Sequence, residues 1–184
     1  MGNAAVNSQF ISLTSPSQSL LTFIVVLNYQ GTRDTVHCIR RVREQDYPNY
    51  RVLVVDNGSP DGSEGRLRDE LPGETIMQRG RNLGYGDGNN LGIEMALAEG
   101  ADFIWMVSPD VHVPPDCLSR LVTLMKQHPE IGICGPVVHA GGRAVTRWDL
   151  VGRLGFQVWA HSVRESAARS LSMSKLVLSR AGRC

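Results

Sequence analysis

Short apolar runs alternate with helix-patterned stretches from Leu20 to Val138, and this alternation leaves few architectures open to the chain. LLTFIVVLNY (Leu20 to Tyr29) has the length and β-branching of a buried strand. From Thr32 to Arg43, Val36, Ile39 and Val42 recur at helical spacing. RVLVVD (Arg51 to Asp56) reads as a second strand, Asp61 to Leu71 as a helix stopped by Pro72-Gly73, and GETIMQR as a third, weaker strand. Asn89 to Glu99 predicts a helix with Ile93, Ala96 and Leu97 on one face and Gly100 behind it. DFIWMV (Asp102 to Val107) is a fourth strand. Between Pro115 and His128, Leu118, Leu121, Val122 and Met125 form an i, i+3, i+4, i+7 stripe, and Ile131 to Val138 follows as a fifth strand. Repeated strand–helix alternation means an α/β fold: a mainly parallel sheet with helices on both faces.

Ligands of such sheets sit beyond the carboxyl ends of the strands. The loops there are Asn28 to Gly31, Asp56 to Gly62, Arg79 to Asn90 and Ser108 to Pro115, all rich in Gly, Asn, Asp or Pro. VVDNGSPDGS places the carboxylate of Asp56 at a strand end. An ionised carboxylate only accepts hydrogen bonds, and uracil or thymine offers it one N–H on the pairing edge. The plainer role for the same residue is an Asx-turn or helix cap. In SPDVHV, Asp110 is placed to hold a cation beside a diphosphate, since Mg²⁺ or Mn²⁺ takes one or two carboxylates plus phosphate oxygens. His112 is a further candidate ligand, against the commoner solvated histidine, and Asp110 beside Pro109 has a turn residue as its plain alternative. NLGYGDGNN is no dinucleotide fingerprint, because it follows the third strand and reads GxGxG. Gly84, Gly86 and Gly88 are expected to bring the backbone close to a ligand before the chain enters a helix.

A formal net charge of +1 excludes the basic excess of a nucleic-acid-binding protein. Cys38, Cys117, Cys134 and Cys184 include no CxxC pair and are expected as plain thiols. The longest apolar run, Leu20 to Leu27, is too short to cross a bilayer. Residues 1–19 carry no Lys or Arg and read as a flexible polar tail. From Val151 onward Ser and Arg dominate and no strand is expected. Ala160, Val163, Ala167 and Leu171 suggest a loosely ordered or packed terminal helix, in preference to a basic membrane-surface helix.

Four segments, VVLNYQGTRDTVHCIRRV, YPNYRVLVVDNGSPDGS, RNLGYGDGNNLGIEMALAEGADFIWMVSPDVHVPPDCLSRLV and PEIGICGPVV, occur in unbroken order over roughly Leu21 to Val138. Together they resemble a family 2 glycosyltransferase of the GT-A fold, in its rhamnosyltransferase-like branch. The resemblance implies a Rossmann-like nucleotide-binding half, a dTDP- or UDP-sugar donor and inversion at the anomeric carbon. It also implies a glycan or lipid-linked acceptor of cell-envelope polysaccharide synthesis, and a cytoplasmic site of action with peripheral contact at the inner membrane face. Asp56 matches the aspartate that reads the base, and Tyr29 a position lining the nucleotide pocket. Asn82, Gly84 and Asn89 fall in the segment that closes over the donor. Asp110 matches the last, metal-binding position of a DxD-type motif whose first position is here Ser108, which implies Mg²⁺ or Mn²⁺.

The family's general base lies in a later acidic segment without a counterpart here. Asp149 and Glu165 are the only acids beyond the fifth strand and stand as its candidates. The expected organisation is a tail over 1–19, a nucleotide-sugar-binding domain over 20–140, and an atypical segment over 141–184 with an incomplete acceptor side, as in a family member truncated at its C-terminus. A non-catalytic nucleotide-diphosphate-binding module is the rival reading.

Overall fold

The computed structural model describes residues 19–136 and, beyond them, the backbone of four short strands. In chain order the elements are β1 (Thr22–Asn28), α1 (Thr32–Val42), β2 (Tyr50–Asp56), α2 (Ser63–Glu70), β3 (Thr75–Gln78), α3 (Gly84–Ala98), β4 (Phe103–Val107) and α4 (Cys117–Gln127). They are followed by β5 (Ile133–Pro136), β6 (His139–Ala140), β7 (Arg143–Ala144), β8 (Phe156–Trp159) and β9 (Leu176–Arg180). β6 and β7 pair only with each other, and the other seven strands form one sheet in the order β3-β2-β1-β4-β9-β5-β8.

The first four strands run parallel. The chain steps outward from β1 to β2 and β3, then crosses back to place β4 on the other side of β1. The switch point therefore lies between β1 and β4, where the loops leaving the two strands diverge. All seven residues of β1 are buried, as expected of a strand covered on both faces. Ile24, Val26, Val52, Val54, Ile76, Phe103, Trp105 and Val107 turn to one face and pack with Val36, Ile39 and Val42 of α1, Leu67 of α2, and Leu118, Leu121, Val122 and Met125 of α4. Phe23, Val25, Leu27, Leu53, Val55 and Ile104 turn to the other and pack with Ala96 of α3.

α3 approaches that second face through glycines. A Cβ on Gly92 would lie 2.5 Å from Val25 Cγ1, and one on Gly88 would lie 2.7 Å from Leu27 Cδ1. This explains two departures from the sequence reading. The helix begins at Gly84 rather than Asn89, and close packing at Gly88 and Gly92 offsets the low helix propensity of glycine there. Gly88 brings the backbone close to the sheet rather than to a ligand. The helix is also turned slightly from its expected orientation, so that Leu97 is exposed while Leu91, Ile93 and Met95 pack against the second cluster.

Two further differences concern the strands and α4. Segments beyond Val151 do form strands: β9 pairs antiparallel with β4 and β5, and β8 pairs antiparallel with β5. β5 is thus separated from β4 by β9, and the sheet is mixed beyond its parallel half. The apolar Leu176-Val177-Leu178 run satisfies the open edge of β4 better than solvent does. α4 starts at Cys117 rather than Pro115, because Gln45 caps it: Leu118 N–H donates to Gln45 Oε1 at 2.8 Å, and Gln45 Nε2 donates to the Pro114 carbonyl at 2.7 Å. The expected tail, the Ala160–Leu171 stripe and Cys184 lie outside the described residues. No helix among the described residues is long and apolar enough to cross a membrane.

Candidate functional site

Parallel pairing carries the ends of β1, β2, β3 and β4 to one edge of the sheet, and with them the loops that the sequence singles out. Register aligns Asn28 with Asp56 and Asp56 with Gln78, so three polar side chains end three neighbouring strands in one row. Their apolar predecessors Val26, Val54 and Ile76 face the α1/α2 side, and strand alternation points the polar row the same way.

Asp56 is fully buried at the centre of this row. Its Oδ1 accepts from Asn28 Nδ2 at 2.6 Å and from the Ser59 hydroxyl at 2.6 Å. Its Oδ2 accepts from Ser59 N–H at 2.9 Å and Gln78 Nε2 at 3.1 Å. A carboxylate offers about four lone-pair sites, and these donors occupy them. The network extends outward, since Thr35 Oγ1 of α1 donates to Asn28 Oδ1 at 2.9 Å and Gln30 N–H donates to Ser59 Oγ at 2.9 Å. Gln30 is held at φ 54, a left-handed conformation uncommon away from glycine, and beside it Tyr29 presents an aromatic ring 45% exposed.

Asn57 ties the next loop in. It is buried, donates to Asn82 Oδ1 at 3.0 Å and to the Gly84 carbonyl at 3.1 Å, and accepts from Leu83 N–H at 3.3 Å. Asn82 Oδ1 also accepts from Gly84 N–H at 2.8 Å, which fixes the entry to α3. The two loops cross at Gly58, where φ is +71 and a Cβ would stand 2.4 Å from the Arg81 backbone. Asn89 lies one turn further along α3, 3% exposed, with Nδ2 donating back to the Tyr85 carbonyl at 2.8 Å. Tyr29, Asp56, Asn82 and Gly84 are therefore gathered at the strand ends, while Asn89 is placed on the buried side of the helix.

On the far side of β1, Ser108 is buried and its carbonyl closes a turn by accepting from Val111 N–H at 3.3 Å. Pro109 and Asp110 form the turn tip, and both Asp110 and His112 are exposed. The loop is anchored again at Val113, which is buried in the larger cluster. Cys38 of α1 donates to the Ser108 carbonyl at 3.8 Å. Burial and then the nearby Asp110 charge push the Cys38 thiol up to about 12. Burial likewise pushes Cys117 and Cys134 up to about 12, so these thiols are inert packing residues. Among the described residues no three His, Cys, Asp or Glu side chains converge as a metal cluster. Asp149 and Glu165 lie outside the described residues. Asn28, Asn57, Ser59 and Gln78 carry much of the site, and their signal in the sequence is polarity at the end of an apolar run or in the turn that follows it.

The profile of Glycosyl transferase family 2 matches residues 23–171. The chain belongs to that family. Among curated relatives of this family 2 chain, an N-acetylglucosaminyl-diphospho-decaprenol L-rhamnosyltransferase of Mycobacterium tuberculosis is 33% identical over 95 residues, which is 47% of this chain and 31% of the relative. A polyprenol monophosphomannose synthase of Mycolicibacterium smegmatis is 29% identical over 132 residues, or 69% of this chain and 48% of the relative. The chain thus matches 31% of the length of the first of these relatives and 48% of the second. Solved structures give the same fold. S. aureus TarS 1-349 in complex with UDP-GlcNAc superposes with a TM-score of 0.55 at 20% identity, covering 68% of this chain and 37% of that one. A mannosyltransferase from Pyrobaculum calidifontis in complex with GDP-Man and Mn²⁺ gives 0.53 at 22% identity, covering 61% and 34%. The fold is GT-A, as the motifs imply.

Proposed function

We propose that the edge formed by the β1, β2, β3 and β4 loops binds a dTDP- or UDP-sugar and serves transfer of that sugar, with inversion, to a glycan or lipid-linked acceptor. The observation that carries this reading is the buried Asp56 carboxylate at the strand ends of a family 2 GT-A fold, with an exposed aromatic ring, Tyr29, on the neighbouring loop. Asp56 accepts from the N–H of a pyrimidine, and Tyr29 supplies an apolar face for the ring. Asn82 and Gly84 border the donor, and Ser108 and Asp110 lie across the switch point, where a diphosphate would follow the base. Residues 20–140 constitute the donor-binding unit. The names of the relatives support a lipid-linked acceptor, since one of them is an N-acetylglucosaminyl-diphospho-decaprenol L-rhamnosyltransferase. Such an acceptor would be met at the inner face of the membrane.

Mg²⁺ or Mn²⁺ fits the oxygen donors at hand. A cation of this kind is commonly held by one or two carboxylates, substrate phosphates and water, and so needs no cluster of three protein ligands. Asp110 would hold it, with His112 as a further contact. When bound, the ion neutralises charge on the departing nucleotide diphosphate. The protein's own part is to fix the base at Asp56, hold the diphosphate end near the Ser108–Asp110 turn, and leave the anomeric carbon open to the acceptor. The acceptor hydroxyl must lose its proton as it attacks, a task for a carboxylate base, and Asp149 and Glu165 are its candidates.

Titration calorimetry with UDP, dTDP and ADP, run beside an assay of donor hydrolysis and transfer, tests this reading. UDP or dTDP is expected to bind more tightly than ADP in the presence of Mn²⁺. Equal affinities would remove the base-reading role of Asp56. Selective binding without turnover would identify the chain as a nucleotide-diphosphate-binding module.

A further inference from the structure

The geometry points to Gln78 as a built-in substitute for the nucleotide base, which the incoming pyrimidine must displace. This inference rests on the base-reading role of Asp56 proposed above.

Gln78 is the last residue of β3 and the cross-strand neighbour of Asp56. Its amide uses both ends. Nε2 donates to Asp56 Oδ2 at 3.1 Å, and Oε1 accepts from Gly80 N–H at 2.6 Å. An amide presents an N–H beside a C=O on one edge. Uracil and thymine present the same pair, a ring N–H beside a ring carbonyl. The free protein thus already fills, with its own side chain, a carboxylate acceptor and a backbone donor that match a pyrimidine edge.

The four donors around Asp56 are not equally removable. Asn28 is buried and locked to Thr35, and Ser59 reaches Asp56 through both its N–H and its hydroxyl while accepting from Gln30. Losing either would dismantle the strand-end frame. Gln78 is exposed, sits on β3 with no neighbour on its outer side among the described residues, and makes the longest of the four contacts. A ligand can take its place by a side-chain rotation alone. Base binding is then an exchange: the pyrimidine N–H replaces Gln78 Nε2 on Asp56, and a ring carbonyl replaces Gln78 Oε1 on Gly80 N–H. The latched form lowers apparent affinity by the fraction of molecules in which Gln78 occupies the site. It also keeps the Asp56 carboxylate satisfied when no nucleotide is present.

The opposite role, a brace that holds Asp56 ready for the base, predicts the opposite sign. UDP affinity should be measured by calorimetry for the full chain, for Gln78→Ala and Gln78→Met, and for Asp56→Ala. A latch predicts tighter UDP binding in both Gln78 variants, by about two- to tenfold, the net worth of one ordinary hydrogen bond. Unchanged or weaker binding in both overturns it. In the unmutated chain, the ¹⁵N-edited signals of the Gln78 side-chain amide should move to solvent-like positions when UDP saturates the site. Signals that stay where they are overturn the latch without relying on any variant. If Asp56→Ala abolishes the preference for UDP while Gln78 behaves as a brace, only the latch fails. If Asp56→Ala leaves that preference intact, the base-reading role itself fails.

Discussion

Two aspartates end two loops on the same sheet edge, and the fold treats them in opposite ways. Asp56 is fully buried, and its four donors come from the ends of β1 and β3 and from its own loop. Asp110 is exposed at the tip of a turn whose flanks, Ser108 and Val113, are buried. The first carboxylate is part of the frame as well as a candidate reader, so stability and recognition are coupled there. At the second, the buried flanks hold the turn while the carboxylate itself is exposed, so the two properties can be separated.

The largest effect is expected where the rigid side is most crowded. Gly58→Ala would force a Cβ into the Arg81 backbone at a left-handed φ of +71. Left-handed strain of about 1–2 kcal/mol and overpacking of about 1–3 kcal/mol together predict a loss of about 2–5 kcal/mol in urea unfolding. A loss under half a kilocalorie would mean that the two loops are not locked together. Next comes Asp56→Ala, which leaves buried donors unpaired. It should cost about 1–3 kcal/mol of stability and weaken UDP binding by about 1.5–3 kcal/mol. A variant that keeps full stability but loses UDP would break the coupling between frame and reader.

Asp110→Ala should change stability by no more than about 0.5 kcal/mol, as for most surface substitutions. It should nevertheless abolish the dependence of diphosphate affinity on Mg²⁺ or Mn²⁺, and Asp110→Asn should be nearly as damaging because the amide carries no charge. If EDTA leaves the affinity of the unmutated chain unchanged, Asp110 is only a turn residue. The smallest effect concerns the thiols. Cys38, Cys117 and Cys134 are raised from 9.0 to about 12, chiefly by burial. A folded value above the unfolded one means that the contribution to stability is complete below pH 9 and is lost as the pH climbs toward 12. Iodoacetamide should therefore leave these three unmodified in the native chain at pH 8.5, and peptide mapping of the alkylated protein would show it.

The parallel half of the fold was legible because each strand is a short apolar run, α1 and α4 carry an apolar stripe, and Pro72-Gly73 marks the end of α2. α3 was half hidden. Gly84, Gly86 and Gly88 read as loop residues, and only the nearness of Leu27 to Gly88 and of Val25 to Gly92 shows why glycine is tolerated at those two positions inside the helix. β9 was missed although Leu176-Val177-Leu178 is a fair strand signal, because the Ser- and Arg-rich surroundings obscured it and its partners on β4 and β5 are distant in sequence. At the site, Asp56 and Asp110 stood out as acids in turn-rich loops. Asn28 and Gln78 did not, because an amide ending a strand gains meaning only once the register places it beside a carboxylate.

The position of β9 also sets a timetable. Phe103 on β4 pairs with Arg180, so a ribosome must add 77 further residues before that hydrogen-bond ladder can close. β5, made earlier, has no direct pairing with β4 and joins the sheet through the same late strand. The parallel half can assemble once Val107 has been made, and the mixed half must wait for Arg180. Long-range closure of this kind is slow. During that interval the nascent chain carries a β4 edge that still awaits β9, and an open edge of this kind invites pairing with other chains.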